Sequence, residues 1–236
     1  MISVVVPFYN EGSSAKESLK KINDFLAINK VRLGRYEIVA VDDGSSDNTA
    51  AVIRSAKRKI CTIRLVEHGI NKGVGAALRT GLKAANGDLV ITTDSDLTYA
   101  PEDILKLLEK MEETDADIVI GTPFAKGGDD SEVPMLRKIL SKAANKLDGV
   151  IFGLNFSTPT CIFRVWKKKA AKSVKIKFDR FEGVSESAID AKMRGFKIVE
   201  VGVKYRAKKG RKSKMNIINT IKRHMMFIYT MRTGRR

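Results

Sequence analysis

Cysteine is scarce: Cys61 and Cys161 stand far apart in a chain of 236 residues. Two thiols cannot staple a chain of this length, which excludes a disulfide scaffold and makes a reducing cytosol the natural setting. No apolar run approaches the ~20 residues that a membrane-spanning helix needs. The opening MISVVVPFYNEG has no basic leader and reads as a strand that starts at once, so the chain is expected to be soluble or to lie on a surface. Internal repeats and low-complexity linkers are absent too. Acidic residues are few in one half only: residues 1–130 carry 17 Lys/Arg against 20 Asp/Glu, whereas residues 131–236 carry 27 against 7. The basic half must face something anionic, which could be nucleic acid, a membrane surface or a phosphorylated acceptor. Aromatics are sparse in the basic clusters at 167–180 and 204–214 and no nucleic-acid motif is present, so a non-enzymatic nucleic-acid or anionic-surface binder is the weakest reading, and it leaves the acidic loops unexplained.

What the chain does have is alternation. Residues 3–8, 36–41, 62–66, 88–93 and 117–121 are rich in Val and Ile and almost continuously apolar, as parallel strands buried on both faces are. Helical stretches are expected between them, near 13–29, 48–59, 74–85 and 101–113, the last opened by Pro101. Strict alternation predicts a doubly wound, Rossmann-like α/β sheet, mostly parallel, with helices on both faces. Beyond residue 130 the rhythm changes to a long helix at 134–152, a strand at 160–165, a helix near 183–193 and a strand at 197–205. Residues 1–130 are therefore read as a core, and 131–236 as a basic lobe of the same domain, with a soft boundary.

Each of the first four strands runs into a polar segment: PFYNEG (7–12), DDGSSDNT (42–49), HGINKG (68–73) and DSDLTYAPED (94–103). In a parallel sheet these carboxyl-terminal loops converge on one edge, where ligands gather. Asp42 and Asp43 are adjacent carboxylates that need donated hydrogen bonds, which a nucleobase edge or ribose hydroxyls would supply; Asp47 is accounted for as a helix cap. Asp94 and Asp96, if still on a strand, point to one face, and a hard divalent cation such as Mg²⁺ or Mn²⁺ would relieve their repulsion. The glycines of NKGVGAALRTG follow the third strand and lack a third partner, so they are not a dinucleotide fingerprint. His68 and His224 have no partners at metal-ligand spacing.

The ordered series SVVVPFYNEG, YEIVAVDDGSSDNT, NKGVGAALRTGLKAANGDLVITTDSD, PEDI and IVIGTPFAKGG resembles the nucleotide-sugar-binding half of inverting glycosyltransferases of family 2, with the GT-A fold. Within that family the likeness is to dolichyl-phosphate mannose synthases and related polyprenyl-phosphate hexose synthases, and it continues through VPMLRKILSKAAN, TPTCIFR, Glu186 and KGRKSK. The resemblance implies that Pro7, Tyr9, Glu11, Asp42, Asp43, Lys72 and Gly73 hold the nucleotide. Asp94 and Asp96 would bind ribose and the Mg²⁺ or Mn²⁺ on the diphosphate of GDP-mannose or UDP-glucose, with Thr98 in the place of a third metal ligand. Arg137, Ser213 and Lys214 would grip a polyprenyl phosphate. Where the family carries an arginine after the fifth strand this chain has Pro123, and Lys126 is the nearby cation.

A phosphate acceptor is already an anion near neutral pH and needs no general base. A glycan or soluble hydroxyl acceptor is the alternative, with Glu186 as its candidate base. The tail places Ile218, Ile221, Met225 and Ile228 at helical spacing beside Lys222 and Arg223. Such a helix either lies on lipid or packs on its own domain. The resulting expectation is a cytoplasmic hexosyltransferase, peripheral on an anionic membrane surface, with no nucleic-acid partner.

Overall fold

A computed structural model describes residues 1–207 and 217–233, with the backbone alone at 217–220. The core begins with β1 (Ile2–Phe8), α1 (Ser14–Ile28), the short α2 (Lys30–Leu33), β2 (Tyr36–Asp42), α3 (Thr49–Lys59), β3 (Ile63–Glu67), α4 (Val74–Ala84), β4 (Leu89–Thr92), α5 (Asp103–Thr114) and β5 (Ile118–Thr122). The basic part adds α6 (Met135–Phe152), β6 (Arg164–Lys167), α7 (Lys168–Ser173), α8 (Glu182–Met193), β7 (Ile198–Gly202) and α9 (Ile217–Thr233).

Among the described residues the strands form one seven-stranded sheet in the order β3-β2-β1-β4-β6-β5-β7. Pairings are parallel except those of β6, which runs antiparallel between β4 and β5. The expected α/β architecture is present. Val4, Val5 and Val6, then Ile38 to Val41, are fully buried because helices cover both faces and leave no solvent side for polar residues. Since β6 and β7 complete this sheet, the sequence on either side of residue 130 contributes to one main apolar core, with a smaller cluster under the last helix.

Three sequence expectations shift. The strand expected at 160–165 is β6 at Arg164–Lys167, because residues 157–161 are held by side-chain bonds instead of a ladder: Thr160 donates to Asn145, and the Cys161 thiol meets the Gly121 carbonyl. The last expected strand stops at Gly202, after which Lys204 makes a lone bridge to Asp129. In the tail helix the buried residues are Phe227 and Ile228, whereas Ile221 and Met225 are half exposed; the α9 face that packs is chosen by Ile189, Phe152 and Phe178 beneath it.

Candidate active site

The carboxyl-terminal ends of four parallel strands meet at one edge, and backbone bonds extend the ladder past them. Asp43 N–H donates to the Phe8 carbonyl, His68 N–H to Asp42, and Thr93 N–H to Val5. The four polar segments therefore leave the sheet side by side. Contacts fix the first three of them to one another. Asn10, at φ +53, accepts from Ser46 through its side chain and donates its own N–H to the Ser45 hydroxyl oxygen. The N–H groups of Glu11 and Gly12 both donate to the Thr49 hydroxyl. Pro7 is half-buried at the end of β1, while Tyr9 projects into solvent at 45% exposure.

Asp42 and Asp43 are 3% exposed, and the chain itself supplies donors to both. Asp42 accepts the Ser45 hydroxyl at 2.6 Å and the Ser45 N–H at 3.2 Å. Asp43 is the hub of the third loop. It accepts His68 Nδ1 at 2.7 Å, Asn71 Nδ2 at 3.0 Å, and the backbone N–H groups of Lys72 at 3.1 Å and Gly73 at 2.7 Å. The other ring nitrogen of His68 bonds the Thr80 hydroxyl at 2.8 Å. These donors satisfy one buried carboxylate and set the course of residues 68–73. His68, passed over for want of metal-ligand spacing, belongs to this arrangement through its link to Asp43, and no local spacing signals a pair 25 residues apart.

Asp94 and Asp96 correct a second expectation. β4 ends at Thr92, so the two carboxylates lie on a turn closed by Leu97 N–H to the Asp94 carbonyl, with Leu97 at φ +53. They share that turn and not one face of a strand. Thr98 donates its hydroxyl at 2.8 Å and its N–H at 3.1 Å to Asp96 Oδ1. The donor set is two half-buried, hard carboxylates, which fits Mg²⁺ or Mn²⁺. Among the described residues no group of three His, Cys, Asp or Glu side chains forms, so phosphate oxygens and water would complete such a cation's shell.

Aromatic packing links this turn to the basic part. Tyr99 stacks on Phe163 with centroids 5.2 Å apart and meets Tyr205 edge-on at 6.3 Å. Arg137 from α6 donates to the Tyr205 hydroxyl at 3.0 Å and lies over its ring. Burial holds the Tyr99 phenol well above its usual range; the Cys161 side and Asp94 add to this and Arg137 opposes it, so both charges are felt at one ring. Lys126 is exposed on the loop after β5. Ser213 and Lys214 lie outside the described residues. A groove of about 550 Å³ runs beside α6, lined by Phe124, Lys142, Asn145, Lys146, Leu154 and Phe156 among others.

Glu186 is 2% exposed, and its Oε2 accepts the N–H groups of Lys177 at 2.7 Å and Phe178 at 2.8 Å. Burial raises its carboxyl above the ordinary value and the two N–H donors partly offset this. Fully buried Arg164, lowered to about 10 by burial, donates to Ser187, to the Pro159 carbonyl and to the Val184 carbonyl.

The chain is 30% identical over 236 residues to a dolichol-phosphate mannosyltransferase of Pyrococcus furiosus, aligning 98% of this chain with 63% of that one. It is 27% identical to a UDP-N-acetylglucosamine–dolichyl-phosphate N-acetylglucosaminyltransferase of Methanococcus voltae, over 86% and 85% of the two chains. Against a dodecaprenyl-phosphate galacturonate synthase of Rhizobium johnstonii the identity is 32%, over 74% of this chain and 50% of the relative. The chain thus spans about half to two thirds of the length of two of these relatives. Glucosyl-3-phosphoglycerate synthase from Mycobacterium tuberculosis, solved with UDP, superposes with TM-score 0.72 at 21% identity, covering 99% of this chain and 80% of that one. A mannosyltransferase from Pyrobaculum calidifontis, solved with GDP-Man and Mn²⁺, gives TM-score 0.65 at 19% identity, over 100% and 64%. These superpositions show the glycosyltransferase fold. A model of glycosyl transferase family 2 matches residues 3–175, and with the converging loops and paired carboxylates already in place, the chain belongs to that family.

Proposed function

We propose that this chain transfers a hexose, mannose or glucose, from a nucleoside diphosphate sugar to a polyprenyl phosphate at an anionic membrane surface, with inversion. The observation that carries this reading is the single edge where residues 7–12, 42–49, 68–73 and the Asp94–Asp96 turn converge, with Arg137 approaching through Tyr205 and Tyr99. The relatives named for dolichyl and dodecaprenyl phosphates support the acceptor class.

Under this reading Pro7, Tyr9, Glu11 and Asp42 lie at the base and ribose end. Asp43 orders the loop that brings Lys72 and Gly73 to the donor. Asp94 and Asp96 would hold a divalent cation, which when bound would neutralise charge developing on the leaving diphosphate. The neighbours solved with Mn²⁺ support a divalent metal. Arg137, oriented by the Tyr205 hydroxyl and ring, pairs with the acceptor phosphate, aided by Lys126, Ser213 and Lys214. That phosphate attacks as an anion, and the engagement of Glu186 with backbone N–H groups supports an acceptor that requires no base.

The surface of α6 supports the lipid side of the reading. It buries Asn145 and Asp148 yet exposes Met135, Leu136, Ile139 and Val150, with Lys142 and Lys146 alongside. An apolar stripe flanked by cations suits an anionic bilayer, and the adjoining groove, with lysines in its lining, suits the first isoprene units. Among the described residues no helix is long and apolar enough to cross a membrane, so the contact is proposed as peripheral, on the cytoplasmic face.

The test incubates the protein and Mn²⁺ with labelled GDP-mannose or UDP-glucose, with and without a short polyprenyl phosphate, and counts label in an organic extract. Lipid-dependent label from one donor is expected. Donor binding with no labelled lipid would overturn the acceptor assignment and direct the search to hydroxyl acceptors.

A further inference from the structure

Residues 176–181, between α7 and α8, form a strap across the start of α4. The Asp179 carbonyl accepts the Ala76 N–H at 2.9 Å and so satisfies one of the helix's initial donors. The strap lies so close that glycine is required beneath it. A Cβ on Gly73 would stand 2.5 Å from the Asp179 oxygen, and one on Gly75 would overlap the Phe178 carbonyl oxygen. This accounts for the glycines of NKGVG, which serve backbone packing and not a dinucleotide. On the far side, Gly183 in α8 has the same Phe178 oxygen against its own missing Cβ. Two clamps hold the strap. Glu186 takes the Lys177 and Phe178 N–H groups from α8, and Arg79 from α4 donates to the Ile176 carbonyl at 2.9 Å and to Asp179 Oδ1 at 2.8 Å.

The opposite side of the same glycine faces the site. Gly73 N–H is bound by Asp43, and Gly73 adopts φ +106, a conformation that strap and carboxylate hold from two directions. We propose that Glu186 is a positioning residue: through the strap it fixes the Lys72–Gly73 backbone in the geometry that receives the donor diphosphate. The inference rests on the donor-binding reading above. It assigns a function to a buried carboxylate that a base mechanism would have claimed, by a connected series of contacts from α8 to the sheet edge.

Calorimetric titration of UDP and of GDP, each with Mn²⁺, tests it on wild-type, Glu186→Ala, Glu186→Gln and Arg79→Met proteins. For whichever nucleotide the wild type binds, Glu186→Ala is expected to weaken Kd about tenfold, the scale of one misplaced hydrogen bond to a charged phosphate. Arg79→Met, which releases the other clamp from a half-buried side chain, is expected to act in the same direction. Glu186→Gln should stay within about twofold, since its amide oxygen still accepts both N–H groups. Wild-type affinity in both Glu186→Ala and Arg79→Met would overturn the proposal, and if Glu186→Ala does not fold, Arg79→Met decides alone. Normal nucleotide affinity in Glu186→Gln with transfer slowed about 100-fold would identify a base instead and also overturn it. Failure of the wild type to bind either nucleotide would overturn the donor reading beneath it, an outcome distinct from unchanged affinity in the variants.

Discussion

Asp94 and Asp96 lie on the turn after β4, and Thr98 holds Asp96 in place. Asp94→Asn and Asp96→Asn are each expected to lower transfer by about 10²–10³-fold, the usual consequence of removing a group that stabilises developing charge. Circular dichroism should remain unchanged, because both side chains are half-buried at a loop; near-normal turnover in either variant would refute the metal-clamp assignment. His68→Ala removes one donor from buried Asp43, which should cost about 1–3 kcal/mol in urea unfolding and weaken nucleotide binding in parallel. The thiols should also differ. Burial pushes Cys161 up to about 11, whereas Cys61 is exposed. Iodoacetamide at pH 8 should therefore modify Cys61 in the native protein and reach Cys161 only after unfolding, as peptide mass mapping would show. The aspartates were legible in the sequence as a cluster, but the donors that hold Asp43 were not. Ser45 lies close in sequence to Asp42, yet His68 reaches Asp43 only because β2 and β3 are neighbours in the sheet.

Among the elements, α6 and α9 departed most from their helical patterns. The sequence marked α6 only as a long helix, and the structure buries its Asn145 and Asp148 and leaves Leu136, Ile139 and Val150 outside. Periodicity reports that a helix has two faces; which face turns inward depends on what lies underneath. α9 shows the same. Phe227 meets Phe178 at 5.2 Å and Phe152 at 6.3 Å, Arg223 pairs with Glu182 at 2.6 Å, and His224 Nε2 lies 3.1 Å from Oδ1 of fully buried Asp148. Phe227→Ala should destabilise this docking by about 3–5 kcal/mol, the range for a buried phenylalanine. Hydrogen exchange would then accelerate across α9 and leave β1 to β4 protected; uniform acceleration would mean that α9 and the core open together.

At the scale of the whole molecule, the excess of Lys and Arg beyond residue 130 and the exposed α6 stripe argue for a lipid surface. Sedimentation with vesicles containing phosphatidylserine should capture the protein at low salt, lose most of it near ~1 M NaCl, where the screening length is about 3 Å, and fail for Leu136→Glu combined with Ile139→Glu. Capture unaffected by both changes would remove α6 from the interface. By itself the sequence determined the alternation of strand and helix, the parallel sheet and the carboxylates at its strand ends, because burial on both faces and loop polarity are written in consecutive residues. Tertiary structure alone decided that β6 runs antiparallel between β4 and β5, that the glycines of α4 lie under a strap, that Glu186 clamps that strap, and which faces of α6 and α9 meet. Each of these is a contact between segments distant along the chain, set by which elements the crossovers bring together, and no periodicity within either segment records its partner.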